Sequence, residues 1–226
     1  MQTRAKKYIV ELVGTFFLVL TVATAAILAP GNPLTPLAIG SVLMVMIYAG
    51  GHISGGHYNP AVTVGVWLRG RIAAVEVPFY IVAQLAGAGI AVLAAKALYP
   101  AAAAKLASVV PAAAGACSAC DVFAVILAEF LFTFALVYVV LNVATAKRNA
   151  GTGFYGLAIG FTVLVGAVAV GGVSGGAFNP AVATGVALLS KSGPLTFCSI
   201  WQHLLGEILA AVAAGGLFRL LNDDDK

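Results

Sequence analysis

Two copies of one short motif contain the residues of this sequence whose types and spacing could do chemistry together. The motif Ser-Gly-Gly-x-x-Asn-Pro-Ala occupies positions 54–61 and again positions 174–181. Asn favours the residue just before a helix, and Pro suits the first helical position. The side-chain oxygens of Asn59 and Asn179 are therefore expected to accept a backbone N–H, which leaves each NH2 group free to donate. Two such donors could hydrogen-bond a small polar molecule.

The composition predicts that both motifs lie within a membrane. Of the 226 residues, 62% are hydrophobic and 9% are charged, whereas about 25% of the residues in soluble domains are charged. The basic residues are scattered between apolar segments, so the net charge of +4 does not predict a nucleic-acid partner. The sequence contains no nucleophile–base set and no metal-ligand cluster, so we predict neither an enzyme nor a cofactor.

Apolar segments of two kinds make up the chain. Four have the length of simple transmembrane helices, at about 8–29, 78–98, 121–142 and 195–221. The stretches 35–69 and 153–190 are longer; as a continuous helix, residues 35–69 would extend about 52 Å, against a hydrocarbon core of ~30 Å. Each also contains a cluster of four glycines, at 50, 51, 55 and 56 or at 171, 172, 175 and 176, followed by the motif proline, and these residues interrupt helices. We predict a span at about 35–50, a glycine-rich loop at 51–58 and a short helix starting at Asn59, with the same design in the second stretch.

These interrupted stretches belong to a duplication of the whole chain. The two motifs are 120 positions apart, and three further matched pairs are separated by 118 to 120 positions: Glu11 with Glu129, Gly65 with Gly185, and Gly87 with Gly206. Each half has three full spans, an odd number, so the second half must enter from the opposite side of the membrane. Lipid cannot satisfy the backbone of the two loops, so they must be buried or line a wet cavity. A pore or a binding site is therefore expected where they meet.

The predicted fold is all-α and integral to the membrane, with six transmembrane helices and two re-entrant half-helices. One domain covers residues 1–226, with inverted repeats at about 8–98 and 121–221 joined by an external loop at 99–120. Nine basic residues fall on one predicted side and three on the other; the three are Lys96, Lys105 and Lys191. By the positive-inside rule, both termini are expected to be cytoplasmic.

The paired motifs, the Glu in spans one and four, and Gln84-Leu85-Ala86-Gly87 in span three resemble the aquaporin and glycerol-channel family. The resemblance covers essentially the whole chain. It implies a passive channel for small uncharged solutes in a plasma or bacterial inner membrane, with a pore in each subunit and four subunits together. The pore residues that it implies are Asn59, Pro60, Ala61, Asn179, Pro180, Ala181 and His57. It also implies that Glu11 and Glu129 accept N–H bonds from the loops, although a proton relay is an alternative role for them.

The sequence departs from that family at the outer constriction. The family places an Arg directly after the second Asn-Pro-Ala, where this sequence has Val182. The other constriction positions are Ile39, Ala167 and Gly176, so the ring carries no charge and no aromatic side chain. One interpretation is a degraded, leaky or gated pore. The other is a wide aliphatic filter for polyols, urea, ammonia or neutral metalloid acids.

Several other residues have two interpretations each. His57 could sense pH or only fix its loop. His203 and Glu207, four apart in span six, could form a buried pair or serve a structural or subunit-contact role. Cys117, Cys120 and Cys198 could bind a metal or an arsenical, but a disulfide or free thiols are the simpler expectation. The acidic tail, residues 223–226, is expected to be solvated and without a function.

Two other classes of protein could use such a sequence. A secondary transporter can also have inverted repeats and broken helices, but it normally needs acidic groups or unwound carbonyls near the midplane for a coupling ion. Here the acids inside spans are Glu11, Glu129 and Glu207. A structural membrane protein with little permeation is the third class. Uphill accumulation of a solute would favour the transporter, and strictly downhill flux would favour the channel.

Overall fold

A computed structural model of the chain describes residues 4–108, 119–190, 195–196 and 199–225. Six of its helices are long and apolar enough to cross a membrane. The helices are α1 (Arg4–Val22), α2 (Thr35–Ser54), α3 (Pro60–Leu68), α4 (Val77–Leu98), α5 (Pro100–Ser108), α6 (Ala119–Val140), α7 (Tyr155–Ser174), α8 (Pro180–Leu189) and α9 (Ile200–Leu221). The π-helical turns Ala23–Leu28 and Leu141–Thr145 extend α1 and α6.

The predicted order of spans and half-helices is confirmed, but several boundaries were wrong. Helix α2 continues to Ser54, so the first re-entrant loop has only four residues, 55–58, instead of eight. Gly50 lies within the helix, and packing requires a glycine there because a Cβ would overlap the hydroxyl of Tyr58. The helix ends at Gly55, which adopts a φ of 95° that favours glycine.

The predicted segments near the outer loops also need correction. Helix α9 begins at Ile200, five residues after the predicted start of span six. Helix α5 occupies Pro100–Ser108, which the sequence assigned to the loop 99–120. Cys117 and Cys198 lie outside the described residues. Cys120 falls in the first turn of α6.

The six spanning helices pack as pairs that repeat across the two halves. Helix α1 lies against α4, α6 lies against α9, and α2 crosses α7 between the halves. A Cβ on Gly87 would overlap the carbonyl oxygen of Leu12, and one on Gly206 would overlap that of Ile126. These two matched glycines therefore let each pair approach at backbone distance. Large apolar side chains on the outer faces, such as Val82 and Leu93, are exposed as expected for contact with lipid.

The half-helices α3 and α8 fill the space between the pairs. Helix α3 packs on α9 and α4, and α8 packs on α4, α9 and α1. Both are too short to cross a bilayer, at nine and ten residues. Their N-terminal ends approach each other at the centre of the bundle, as the inverted repeat predicted.

One end of the bundle gathers ion pairs. Arg4 and Lys7 contact Glu76, and the nearly buried Arg69 contacts Asp225 at 2.6 Å. Asp225 also accepts a hydrogen bond from the backbone N–H of Lys147 at 2.7 Å. The prediction that the acidic tail is solvated was therefore wrong for Asp225, which is 6% exposed.

Candidate functional site

The two motif asparagines cap their half-helices as predicted. The side-chain oxygen of Asn59 accepts the backbone N–H of Ala61 at 2.8 Å and that of Val62 at 3.3 Å. The side-chain oxygen of Asn179 accepts the N–H of Ala181 at 2.9 Å. Pro60 and Pro180 each occupy the first helical position, where the missing N–H costs nothing. The position of each carboxamide is therefore fixed by backbone N–H groups in the first turn of its half-helix.

The carboxamide NH2 groups are less free than the sequence predicted. Asn59 Nδ2 donates to the carbonyl oxygen of Phe178 at 2.9 Å, and Asn179 Nδ2 donates to that of Tyr58 at 2.9 Å. Each bond crosses from one repeat to the other. Because an NH2 group has two hydrogens, one donor on each asparagine remains for a solute.

The residues before the asparagines adopt an uncommon backbone conformation. Tyr58 has a φ of 50° and Phe178 a φ of 48°, values that bulky residues rarely adopt. Their N–H groups donate to buried carboxylates, and their carbonyl groups accept the crossing bonds from the asparagines. The strained backbone is therefore fixed from both sides.

The two predicted support residues provide those carboxylates. Glu11 accepts the N–H groups of His57 and Tyr58 at 2.9 and 2.7 Å. Glu129 accepts the N–H groups of Ala177 and Phe178 at 3.1 and 2.7 Å. Each also binds the serine of its motif, Ser54 at 2.7 Å and Ser174 at 2.6 Å. Each carboxylate therefore accepts hydrogen bonds from two successive backbone N–H groups and one hydroxyl of its loop, the contacts of a loop support.

The two halves differ in the side chains with which their third spanning helix, α4 or α9, supports the re-entrant loop. Gln84 in α4 donates to Glu11, whereas its match in α9 is His203, whose Nε2 contacts the carbonyl oxygen of Ser174 at 2.7 Å. Glu207 accepts the backbone N–H of Asn179 at 2.7 Å. His203 and Glu207 are both buried and face the second loop. Of the two interpretations, a pair with each other is not formed; both residues have a structural role at the second loop instead, and neither lies on an outward face that could contact another subunit.

A narrow cavity runs between the two asparagines. Its volume is about 20 Å³, and one water molecule needs roughly 10–15 Å³ on the same measure. Ile39, Gly176 and Val182 from the predicted filter line it. Ala167 does not; it lies beside Gly176, with its Cα 3.5 Å from where a Cβ on Gly176 would be. Val163, one turn earlier in α7, lines the cavity instead.

Ten of the seventeen residues that line the cavity are Leu, Ile or Val, and the sequence analysis selected only Ile39 and Val182 among them. They come in pairs related by the repeat: Ile39 with Ile159, Leu43 with Val163, Leu18 with Leu136, Val22 with Val140, and Val62 with Val182. The members of each pair are 118 or 120 positions apart. The repeat spacing was therefore the signal that could have identified them, starting from Ile39 and Val182.

A larger vestibule opens from the cavity towards the end that carries the ion pairs. Its volume is about 1110 Å³, and Lys7, Arg71 and Lys147 are among its lining residues. His57 lies where the vestibule meets the cavity and lines both. Its Nδ1 contacts the hydroxyl of Thr63 at 3.1 Å. That hydroxyl donates to the carbonyl oxygen of Asn59, so Nδ1 carries the hydrogen and Nε2 is an acceptor.

The electrostatics of the cavity centre come from the backbone. The N-termini of α3 and α8 each carry partial positive charge, roughly half a unit, and they face each other. Within the described residues, no group of three potential metal ligands occurs. Such a site opposes cations and offers donors to neutral molecules. An inverted pair of half-helices meeting in a narrow cavity defines a membrane channel.

Comparisons with known proteins agree with that class. The family model described as major intrinsic protein matches residues 1–218. Aquaporin NIP1-3 from Oryza sativa is 37% identical over 98% of this chain and 76% of its own length. Nodulin-26 from Glycine max is 34% identical over 98% and 79%. Aquaporin Z from Photorhabdus laumondii is 33% identical over 96% and 97%.

A solved structure has the same fold. The aquaglyceroporin from Plasmodium falciparum superposes with a TM-score of 0.77 over 96% of both chains, at 21% sequence identity. The chain belongs to the major intrinsic protein family. It is a multi-pass membrane protein and a passive channel for water and small solutes. Its relatives in this family are channels and not enzymes.

Proposed function

We propose that this channel passes neutral solutes that are larger or less polar than water. The observation that carries the proposal is the aliphatic wall on both sides of the asparagine pair. Val182, the residue where the family resemblance implies an Arg, is 4% exposed and lines the cavity with Ile39 and Gly176. The filter therefore lacks a fixed cation and its donors.

The chemistry of this wall selects by polarity. A polar group that enters it without a partner loses hydrogen bonds with water at a cost of roughly 1–3 kcal/mol. Apolar surface on the solute offsets part of that cost at about 25 cal/mol per Å². Asn59 and Asn179 each supply one donor midway. Polyols, urea, ammonia and neutral metalloid acids meet these conditions, and the names of the relatives, aquaporin and aquaglyceroporin, support water and glycerol as solutes.

The remaining motif residues support this path. Pro60 and Pro180 start the half-helices, and the backbone N–H groups of Ala61 and Ala181 donate to the capping oxygens of Asn59 and Asn179. Gly56 and Gly176 line the cavity with backbone, whose carbonyl groups can accept from a solute. Glu11 and Glu129 hold those loops in place.

A solute panel in proteoliposomes tests the proposal. Water, glycerol, urea, ammonia and boric acid are compared with K⁺, using light scattering for the neutral solutes and a potential-sensitive dye for the ion. We expect downhill flux of at least one solute larger than water and no flux of K⁺, relative to empty liposomes. Flux of water alone would contradict the filter proposal, and accumulation driven by an ion gradient would contradict a channel.

We also propose that both termini are cytoplasmic and that four copies assemble in a plasma or bacterial inner membrane. The nine-to-three basic asymmetry supports the orientation, and the family resemblance supports the tetramer. An impermeant thiol reagent should label Cys117 or Cys120 in intact cells after reduction. Labelling only in inverted vesicles would reverse the orientation.

A further inference from the structure

The second re-entrant loop is held by two carboxyl groups, whereas the first is held by one. The N–H groups of Ala177 and Phe178 donate to Glu129, and the next N–H, that of Asn179, donates to Glu207 at 2.7 Å. In the first repeat, Ala88 occupies the position that matches Glu207, 119 residues earlier. The second half of the channel therefore carries one additional buried acid, in contact with a pore residue.

One oxygen of this extra acid has no partner. Glu207 Oε1 accepts from Asn179, but Oε2 is buried with no hydrogen-bond partner, and the residue is fully buried. Its neighbour is Glu129, which accepts the preceding N–H, that of Phe178, and whose Cβ lies 3.2 Å from where a Cβ on Gly206 would be. Two adjacent carboxylates at this depth would repel each other and would cost more than a single charge in the membrane.

The first repeat shows which hydrogen bond is missing from the second. Gln84 Nε2 donates to Glu11 Oε2 at 2.8 Å. Its match, His203, makes a different contact, because its Nε2 donates to the carbonyl oxygen of Ser174. In the first repeat the corresponding carbonyl, that of Ser54, accepts from the hydroxyl of Tyr80. His203 Nε2 also lies 3.9 Å from Glu129 Oε1, which is too far for a hydrogen bond, so Glu129 receives no side-chain hydrogen bond from His203. A hydrogen on Glu207 Oε2 would provide one.

We propose that Glu129 and Glu207 form a buried proton-binding site. Glu207 is a neutral carboxylic acid whose Oε2–H donates to ionised Glu129, while Oε1 accepts the N–H of Asn179. The ligand is a single proton, and Glu207 is a positioning residue for the second pore asparagine.

The surrounding groups favour this placement of the proton over one on His203. Since a carbonyl only accepts, His203 Nε2 carries a hydrogen, and an additional hydrogen on the buried Nδ1 would have no acceptor. From α6 the titratable neighbour is Glu129, and helices α3 and α8 contain no titratable side chain. Arg69 and Asp225 lie beyond Phe218, which is 11 residues, or roughly 16 Å, along α9 from Glu207.

Removing the proton should disturb the pore. At neutral pH the site carries one negative charge, which three donors to Glu129 stabilise. As the pH rises and Glu207 ionises, the two carboxylates repel each other, and the backbone at Asn179 moves with its acceptor. Solute flux should therefore fall on the alkaline side.

Infrared difference spectroscopy of the full chain in liposomes tests the site directly. Wild-type protein titrated from neutral to alkaline pH should lose a C=O stretching band of a protonated carboxyl group. The band should be absent from a Glu207→Gln variant and present in Glu76→Gln, which removes a carboxyl outside the spans. A wild-type spectrum without the band at neutral pH, a band that survives in Glu207→Gln, or an imidazolium signal from His203 instead would each overturn the proposal.

Flux measurements test the positioning role with two substitutions. Glu207→Ala reproduces the first repeat's Ala88 but leaves the N–H of Asn179 without an acceptor, so its flux should be below that of wild type. Glu207→Gln provides both the acceptor and a donor equivalent to Gln84, so it should restore flux relative to Glu207→Ala and remove the alkaline decline. Equal flux in the two variants, or an alkaline decline that persists in Glu207→Gln, would refute the role. The infrared result does not depend on which solute permeates.

Discussion

At the residue scale, the carboxamides of Asn59 and Asn179 combine three contacts. Each caps its own half-helix with the oxygen, joins the opposite loop with one N–H, and lines the cavity, where we propose that the other N–H donates to the solute. Because a single carboxamide makes these contacts through different atoms, a substitution that changes only the NH2 group should remove donation and leave capping intact.

Replacement of either asparagine by Asp tests that separation. Asp still caps the helix, but it cannot donate to the carbonyl across the repeat, and it adds a negative charge at the cavity. An unpaired buried carbonyl costs about 1–3 kcal/mol. We expect loss of neutral-solute flux or a new cation leak in Asn59→Asp and Asn179→Asp, measured in proteoliposomes.

The matched control is Asn222→Asp, which also removes a bond from Nδ2 to a backbone carbonyl, that of Phe218, but at the end of α9. Its flux should equal that of wild type. Unchanged flux and selectivity in both pore variants would show that the asparagines are not the permeation contact.

The sequence predicted the residue-scale contacts that are local and missed those that join distant segments. Capping by Asn59 and Asn179 follows from an Asn-Pro pair, because the partners are two or three residues away. The crossing bonds to Phe178 and Tyr58 depend on how two loops meet, about 120 residues apart. The contact of Glu207 with Asn179 was missed because only a pair with His203 in the same helix and an unspecified structural or subunit contact were considered for Glu207.

At the element scale, the repeat creates a second ring of residues on the vestibule side of the asparagines. The outer ring of Ile39, Ala167, Gly176 and Val182 is matched, 120 positions away, by Ile159, Ile47, Gly56 and Val62. Ile47 is bulkier than Ala167, and it is 2% exposed. Ile47 lines the vestibule, whereas its match Ala167 does not line the cavity, so Ile47 adds a bulky side chain to the inner ring that has no counterpart in the outer one.

Truncation of Ile47 should widen the inner ring. We expect Ile47→Ala to raise the ratio of glycerol to water permeability, with some loss of stability, since large-to-small changes at buried sites cost about 2–5 kcal/mol. Val45→Ala, on the exposed face of the same helix, is the control and should leave the ratio unchanged. A ratio in Ile47→Ala equal to that of wild type would show that the inner ring does not limit permeation.

The pairing of α1 with α4 makes a prediction about stability. A Cβ at Gly87 would overlap the carbonyl oxygen of Leu12, and backbone cannot yield as a side chain can. Gly87→Val should therefore destabilise the protein by roughly 1–3 kcal/mol or prevent folding, seen as a lower melting temperature in detergent. Gly89→Val, two residues along, meets no atom within 4 Å and should have little effect. Equal melting temperatures of both variants would contradict this packing.

Sequence patterns predicted the existence of the elements better than their ends. Apolar length was sufficient for six spans, and the glycine clusters with proline located both breaks. The stretch 51–58 was predicted to be a loop, yet Gly51 is helical, as is Gly50 at the end of the predicted span. At Gly50 the glycine makes room for Tyr58, and sequence alone does not distinguish a glycine needed for space from one needed for a turn.

At the scale of the whole molecule, one aspartate after α9 connects the C-terminal segment to two loops, the one that follows α3 and the one that precedes α7. Asp225 contacts Arg69 and Arg71 after α3 and the backbone N–H of Lys147 before α7. The Lys147 N–H, together with the Arg69 guanidinium, holds the pKa of the Asp225 carboxyl below its ordinary value. A lowered pKa means that the folded state favours the ionised form.

This linkage sets the direction of a pH effect on stability. The contribution of Asp225 is complete above the ordinary aspartate pKa of about 3.9 and is lost as the pH falls through the lower folded value. We expect the melting temperature of Asp225→Asn to lie below that of wild type at neutral pH and to converge with it in acid. Asp224→Asn removes an exposed pair with Arg148 and should change little. A difference that persists at low pH would contradict the assignment.

The inverted arrangement of the whole molecule was predictable because it follows from counting: a duplicated unit with three spans must reverse direction. The aliphatic filter was predictable in its composition and less so in its position. The helical phase of α7 directs Val163 into the cavity and sets Ala167 beside Gly176, and that phase depends on how α7 crosses α2.

The most direct measurement of the central claim is the ratio of glycerol to water permeability in Val182→Arg, compared with wild type and Val182→Met. Arg adds bulk, a fixed charge and up to five donors at the aliphatic filter, and Met adds bulk without the charge. In proteoliposomes with matched amounts of folded protein, the account predicts that Val182→Arg lowers glycerol flux more than water flux, and more than Val182→Met does. A well-folded Val182→Arg channel that keeps the wild-type ratio would show that position 182 is not the filter.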